Sequence, residues 1–183
     1  MLKLSAEDSA LVKELRRIGV LEDVEEHRLD QSNGVILITC SDGDQFSDIF
    51  AHQVRMQTGQ RPTDPRIHVF GWHGGALACA CHSPINKREY AELVFLDQIS
   101  AAREMKQINT VALYSHAPCG AAHGSNVNLV EAIALQISAK MKIKTLNQGI
   151  SVACFFHVDY GNGAKRTYFL SRPKWEAWVA NMG

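Results

Sequence analysis

The chain has 183 residues, 46% of them apolar, and 19 basic side chains balance 19 acidic ones. That length and composition predict one domain, 1–183, and exclude a disordered or fibrous chain, while a neutral balance lacks the basic footprint of a nucleic-acid binder. Uninterrupted apolar stretches such as Val35 to Ile38 fall far short of the roughly 20 residues of a membrane-spanning helix.

The N-terminus turns acidic at Glu7 and Asp8 and offers no apolar segment of signal-peptide length, so a cytoplasmic location is expected. Five cysteines then suit reduced thiols or metal ligands better than a disulfide framework.

In chain order, Ser5 with Asp8 three residues on reads as a helix start, followed by Leu11, Leu15 and Ile18 on one face until Gly19. A polar connector from Leu21 to Gly34 leads into Val35–Thr39, a β-branched run apolar on both faces and therefore a buried parallel strand. Phe46, Ile49, Phe50 and Val54 predict a helix closed by Gly59 and Pro62, and Ile67–Phe70 a second strand. A helix from about Lys87 to Met105 is expected to turn Leu93, Val94, Leu96 and Ile99 inward, before a third strand at Thr110–Tyr114.

Val127, Val130, Ile133, Ile137 and Met141 predict the next helix. Ser151–Val158 and Lys165–Leu170 read as strands around a Tyr160-Gly161-Asn162-Gly163 hairpin, and a short helix carries Trp175 and Trp178. The alternation implies a three-layer α/β/α fold with a mostly parallel central sheet.

Cys40-Ser41-Asp42-Gly43-Asp44 follows the first buried strand, and His116-Ala117-Pro118-Cys119-Gly120 follows the third. Ligands of open parallel sheets collect beyond the carboxyl ends of the strands, so these two clusters can converge although they are distant in sequence. Cys40, His116 and Cys119 make a Zn²⁺ donor set with one position left over. Two thiolates neutralise the ion, so water there is less acidified than at a three-histidine zinc, and hydrolytic chemistry is expected to favour alkaline conditions.

The spacing Cys-x-Asp with a distant His-x-x-Cys-Gly resembles the zinc signature of the β-class carbonic anhydrases, over roughly Val35 to Met141. Gly71-Trp72-His73-Gly74-Gly75 stands where that family has a glycine-rich turn. The resemblance implies a β-carbonic anhydrase-like fold, with Cys40, His116 and Cys119 as zinc ligands and Asp42 as the catalytic carboxylate beside the metal. It also implies reversible hydration of carbon dioxide to bicarbonate, and a homodimer or dimer of dimers.

The chain departs from the family at two places. The family continues Cys-x-Asp-x-Arg, the arginine clamping the aspartate away from zinc, and Asp44 stands there instead; Gly71 stands where the glycine-rich turn usually begins with arginine. An unclamped Asp42 either orders water at the metal or becomes the fourth ligand, which closes the site. Arg61, Arg66 and Arg103 are the candidate substitutes for the clamp. The alternative function is a catalytically silent zinc-stabilised scaffold or sensor, and a third is attack on a small carbon–sulfur compound.

Other residues carry weaker signals. Asp42 and Asp44 also suit a helix N-cap, and Asp48 a solvated helix position. Cys79-Ala80-Cys81-His82 has a one-residue gap rather than the two of zinc knuckles, so buried thiols are expected. His123 is a candidate proton shuttle or surface residue, and His73 lies beside glycines that permit close backbone approach to a ligand. His157, Tyr160, Trp175 and Trp178 suit packing or a subunit interface. His116 and Cys119 alone, without an orienting third group, make a poor base and nucleophile pair.

Overall fold

The computed structural model describes residues 2–24, 29–58, 60 and 65–182. The elements run α1 (Ala6–Arg17), β1 (Leu21–Asp23), β2 (Val35–Cys40), α2 (Gly43–Thr58), β3 (Ile67–Trp72), a 3-10 turn (Gly75–Cys79) and α3 (Ala91–Lys106). Then follow β4 (Thr110–Ala117), α4 (Gly120–Gly124), α5 (Leu129–Leu146), β5 (Ser151–Asp159), β6 (Lys165–Leu170) and α6 (Arg172–Ala180).

One six-stranded sheet has the order β1-β6-β5-β4-β2-β3. β3, β2, β4 and β5 are mutually parallel, and β6 pairs antiparallel with both β5 and β1. Successive residues of β2 alternate between faces. Ile36 and Ile38 pack with Val12 and Leu15 of α1, Leu96 and Ile99 of α3, Ile133 and Ile137 of α5 and Trp175 of α6. Val35 and Leu37 pack on the opposite face with Ile49 and Met56 of α2. The expected α/β/α layering with a mostly parallel sheet is therefore present, four long helices covering one face and α2 the other. Among the described residues no helix is long and apolar enough to cross a membrane.

Local chemistry sets the helix ends. Ser5 Oγ accepts the Asp8 amide at 2.9 Å at the start of α1, and Asn128 and Glu131 form a reciprocal capping box on α5. In the hairpin, the Tyr160 amide donates to Ala164 O at 2.8 Å, with Gly161, Asn162 and Gly163 all at positive φ.

Several sequence expectations are corrected. Strand β1 lies inside the stretch read as connector; with three residues it has too little pattern to show, and it pairs with β6 while Leu21 joins the core. α3 starts at Ala91 rather than Lys87, and its Leu93 and Val94 face solvent at 46% and 57% exposure. The residues from Leu93 to Leu96 are all apolar, so spacing left the inward stripe ambiguous. It proves to be Glu92, Leu96, Ile99 and Ala102. Met141 of α5 and Phe50 of α2 are likewise exposed rather than inward. Gly59 and Pro62, expected to end α2, lie outside the described residues, and the helix is seen to Thr58.

Beneath α2, His52 Nδ1 and Tyr114 Oη are 2.8 Å apart, and His157 Nδ1 lies 2.9 Å from Thr167 Oγ1. Burial, reinforced by Arg55 beside His52 and by His116 beside His157, holds both imidazoles at about 4. An unfolded imidazole titrates near about 6.5, so the unfolded chain binds protons first. Stability from these neutral rings is complete above that value and declines as pH falls toward the folded value. The melting temperature is expected to drop as pH is lowered from about 6.5 to about 5, and His52→Gln to shallow the slope. A flat profile over that interval contradicts the assignment.

Candidate metal centre

Cys40 is the last residue of β2 and His116 the penultimate residue of β4. These strands are parallel neighbours, with Ile38 opposite Leu113, so both side chains emerge at the carboxyl edge of the sheet. A tight turn, with a cis Ala117–Pro118 peptide, returns Cys119 to the same place immediately before α4. One ligand atom from each of Cys40, His116 and Cys119 lies within 4.8 Å of the others, and all three residues are buried. Among the described residues this is the one group of three or more metal-ligating side chains brought together.

The residues fit a zinc ion in three respects. The His116 ring donates from Nδ1 to Pro118 O at 2.8 Å, because a carbonyl can only accept. That fixes the tautomer and leaves Nε2 with its lone pair free, buried and without a hydrogen-bond partner. The two sulfurs meet backbone donors, Cys40 the Gly74 amide and Cys119 the amides of Ala121 and Ala122. Finally, two sulfurs on a tetrahedral zinc stand about 3.8 Å apart given bonds of about 2.3 Å, so the triad needs little adjustment.

Electrostatics agree with that donor set. The hydrogen bond from the Cys119 thiol, aided by the Gly74 amide and opposed by burial, holds Cys40 below the ordinary thiol range. The same bond and burial push Cys119 up. Negative charge is thus favoured on the Cys40 sulfur beside Cys119, where a cation can be held.

Asp42 joins β2 to α2. Its Oδ1 accepts the Asp44 amide at 2.9 Å and its backbone carbonyl accepts from Phe46 at 2.8 Å, so it caps α2. Its Oδ2 stands 3.9 Å from His116 Nε2. The capping role and a position beside the candidate metal thus coexist in one carboxylate, one oxygen for each.

No described arginine clamps it. Arg66 binds Asn33 O and Lys106 O, and Arg103 binds Asn109 Oδ1 and Gln148 O. All four partners precede strands, which places both guanidiniums at the opposite edge of the sheet. Arg61 lies outside the described residues. A cation at this edge is Lys165 of β6, which donates to Asp44 O at 2.5 Å and to Asp48 Oδ2 at 2.7 Å. Sequence reasoning missed it, because its place depends on the antiparallel return of β6.

Gly74 and Gly75 serve the centre through the backbone. Both have positive φ, and a Cβ on Gly75 would overlap the Cys40 nitrogen and lie 2.5 Å from Thr39 C. The close approach expected there is made to β2 itself. Trp72 Nε1 donates to Gly75 O at 2.6 Å and locks the turn.

The remaining candidates disperse. Cys79 is buried with its thiol pushed up by burial, while Cys81 and His82 are exposed, so these three form no cluster. His73 is exposed. His123 lies on α4, its amide bonded to Cys119 O at 2.9 Å, and shares with His116 and Cys119 a cavity of about 390 Å³. Leu2, Lys3 and Glu7 wall that cavity, a contribution of the N-terminal segment that no motif signalled. Tyr160 bonds Tyr168, and Trp175 and Trp178 pack with the core.

No protein-family model matches the chain, and no curated protein matches it. Solved structures similar to it include a variant of the β-carbonic anhydrase CafD of Aspergillus fumigatus, at 13% identity and a TM-score of 0.46, covering 83% of this chain and 99% of that one. A carbonic anhydrase from Streptococcus mutans gives 10% and 0.47 over 93% and 100% of the two chains. The β-carbonic anhydrase isoform I of Trichomonas vaginalis gives 12% and 0.44 over 93% and 100%.

Proposed function

We propose that the chain is a zinc protein of the β-carbonic anhydrase type that hydrates carbon dioxide reversibly, with Cys40, His116 and Cys119 holding the ion. The observation that carries this reading is the convergence of the three donor atoms around the buried, unpartnered His116 Nε2. The Cys-x-Asp and His-x-x-Cys-Gly pattern supports the reaction assigned to it.

A zinc ion there supplies Lewis acidity that lowers the pKa of water and polarises a small electrophile. Pro118 O fixes the His116 tautomer, and the amides of Gly74, Ala121 and Ala122 disperse sulfur charge. Asp42, held through Oδ1 by the Asp44 amide, turns Oδ2 toward the centre as hydrogen-bond acceptor.

Two features limit the rate at neutral pH. Two thiolates reduce the acidity of water at the metal, and Asp42 without a guanidinium clamp competes for the open position. Stopped-flow assay of zinc-loaded protein is expected to show weak hydration near pH 7 and an increase toward about pH 9. Rapid turnover at neutral pH contradicts this account of Asp42.

A second reading, a catalytically silent zinc scaffold, is favoured specifically by the 3.9 Å between Asp42 Oδ2 and His116 Nε2. It predicts chelator-sensitive unfolding with no turnover even in strong alkali.

A further inference from the structure

The turn that carries Asp42 has little packing of its own. Ser41, Gly43 and Asp44 are exposed, and a Cβ on Gly43 would meet nothing within 4 Å. Burial therefore does little to place Asp42, and directed bonds have to do it.

Those bonds come from the β5–β6 hairpin, where Asp159 and Lys165 stand opposite one another. Lys165 Nζ donates to Asp44 O at 2.5 Å and to Asp48 Oδ2 at 2.7 Å, and lies 3.9 Å from Asp159 Oδ2. Gln45, 5% exposed, donates from Nε2 to the same Asp159 oxygen at 3.0 Å. Asp159 is itself fixed, its Oδ1 accepting the Gly161 amide at 2.9 Å. The hairpin thus grips Asp44, Gln45 and Asp48 at the start of α2.

The grip continues to the metal centre. Asp44 presents its carbonyl to Lys165 and its amide to Asp42 Oδ1, the latter at 2.9 Å. With Oδ1 so engaged, Oδ2 stands 3.9 Å from His116 Nε2. The hydrogen bond to Asp48, opposed by burial and aided by the charges of Asp159 and Asp44, raises the pKa of Lys165, so the ammonium stays charged at neutral pH. An isolated surface ion pair fixes little. One ammonium bonded to both a backbone carbonyl and a carboxylate of the same helix start fixes where that start lies.

Resting on the zinc reading given above, we propose that Lys165 is the positioning residue that keeps Asp42 out of the metal's open position. It acts through the Asp44 peptide rather than by touching Asp42, and supplies from β6 a restraint for which no described arginine is placed.

The cobalt-substituted full chain tests this, with thiocyanate as the probe of the open position. Wild-type protein is expected to bind thiocyanate saturably, with a change in the visible bands of the ion. Lys165→Met should weaken that binding by about tenfold or more, because Asp42 then reaches the ion, and Lys165→Arg should keep it within about threefold. Adding Asp42→Asn to Lys165→Met should restore the binding, which loss of a merely structural ion pair does not allow. In the metal-free chain, exchange of the Asp44 amide hydrogen should quicken by about tenfold in Lys165→Met and stay near the wild-type rate in Lys165→Arg. Lys165→Gln takes the place of Lys165→Met if the latter does not fold. A cobalt protein that binds no thiocyanate, unchanged affinity in Lys165→Met, a loss that Asp42→Asn does not reverse, or an unchanged Asp44 exchange rate overturns the proposal. A chain that takes up no cobalt contradicts the zinc reading instead, and amide exchange then decides whether Lys165 restrains the turn.

Discussion

Cys40→Ser, Cys119→Ser and His116→Ala are each expected to purify with a small fraction of the zinc held by the wild-type chain. Structural zinc sites bind with about 10–16 kcal/mol, so removing one of three protein ligands should cost about 3–5 kcal/mol, or roughly two to four orders of magnitude in affinity. Cys79→Ala and Cys154→Ala provide the contrast. Both thiols are fully buried and held in the protonated form by burial, and neither belongs to the gathered triad. They should retain zinc. Chelator competition measures the affinities, and thermal melts with and without chelator measure the linkage. The wild-type midpoint should fall on chelation, and those of the ligand variants should not. Equal zinc content in Cys79→Ala and Cys119→Ser contradicts the ligand assignment.

Gly75→Ala is expected to be among the most damaging single-methyl changes in the chain. The added Cβ would meet the Cys40 nitrogen and Thr39 C, which are backbone atoms of the central strand β2 and cannot rotate away, and φ is +52°. Overpacking costs about 1–3 kcal/mol and a left-handed backbone for alanine about 1–2 kcal/mol more. The total, roughly 2–5 kcal/mol, is a large share of ordinary domain stability. At Gly74, also at positive φ, the principal obstacle is Ile85 Cγ2 at 2.6 Å, a side-chain rather than a backbone atom, so Gly74→Ala should cost somewhat less. Gly43→Ala, on α2 with nothing within 4 Å of the new methyl, should be neutral or slightly stabilising. Urea unfolding of the three variants gives the order, and a Gly75→Ala protein as stable as Gly43→Ala contradicts the packing described.

What the sequence disclosed follows from which signals are local. Cys40 and His116 lie at the carboxyl ends of short apolar runs, and in a parallel sheet such runs point the same way, so their meeting could be anticipated from order alone. The capping role of Asp42 was equally legible, since the helix pattern begins just after it. Long-range returns were not. Lys165 reaches Asp48 only because β6 doubles back beside β5, and β1 exists only because β6 offers an edge. The exposed Leu93 and Val94 show the limit of periodicity where four consecutive residues are apolar. The fate of Arg66 and Arg103 was not legible either, because only the edge of the sheet they occupy distinguishes them from a clamp.

X-ray absorption at the zinc edge of the metal-loaded protein addresses the coordination most directly. Two sulfurs at about 2.3 Å and at least one nitrogen at about 2.0–2.1 Å are the expected inner shell, with the remaining light-atom scatterer supplied by solvent or Asp42. A zinc shell containing no sulfur, or a protein that takes up no zinc at all, would mean that Cys40, His116 and Cys119 do not hold the ion.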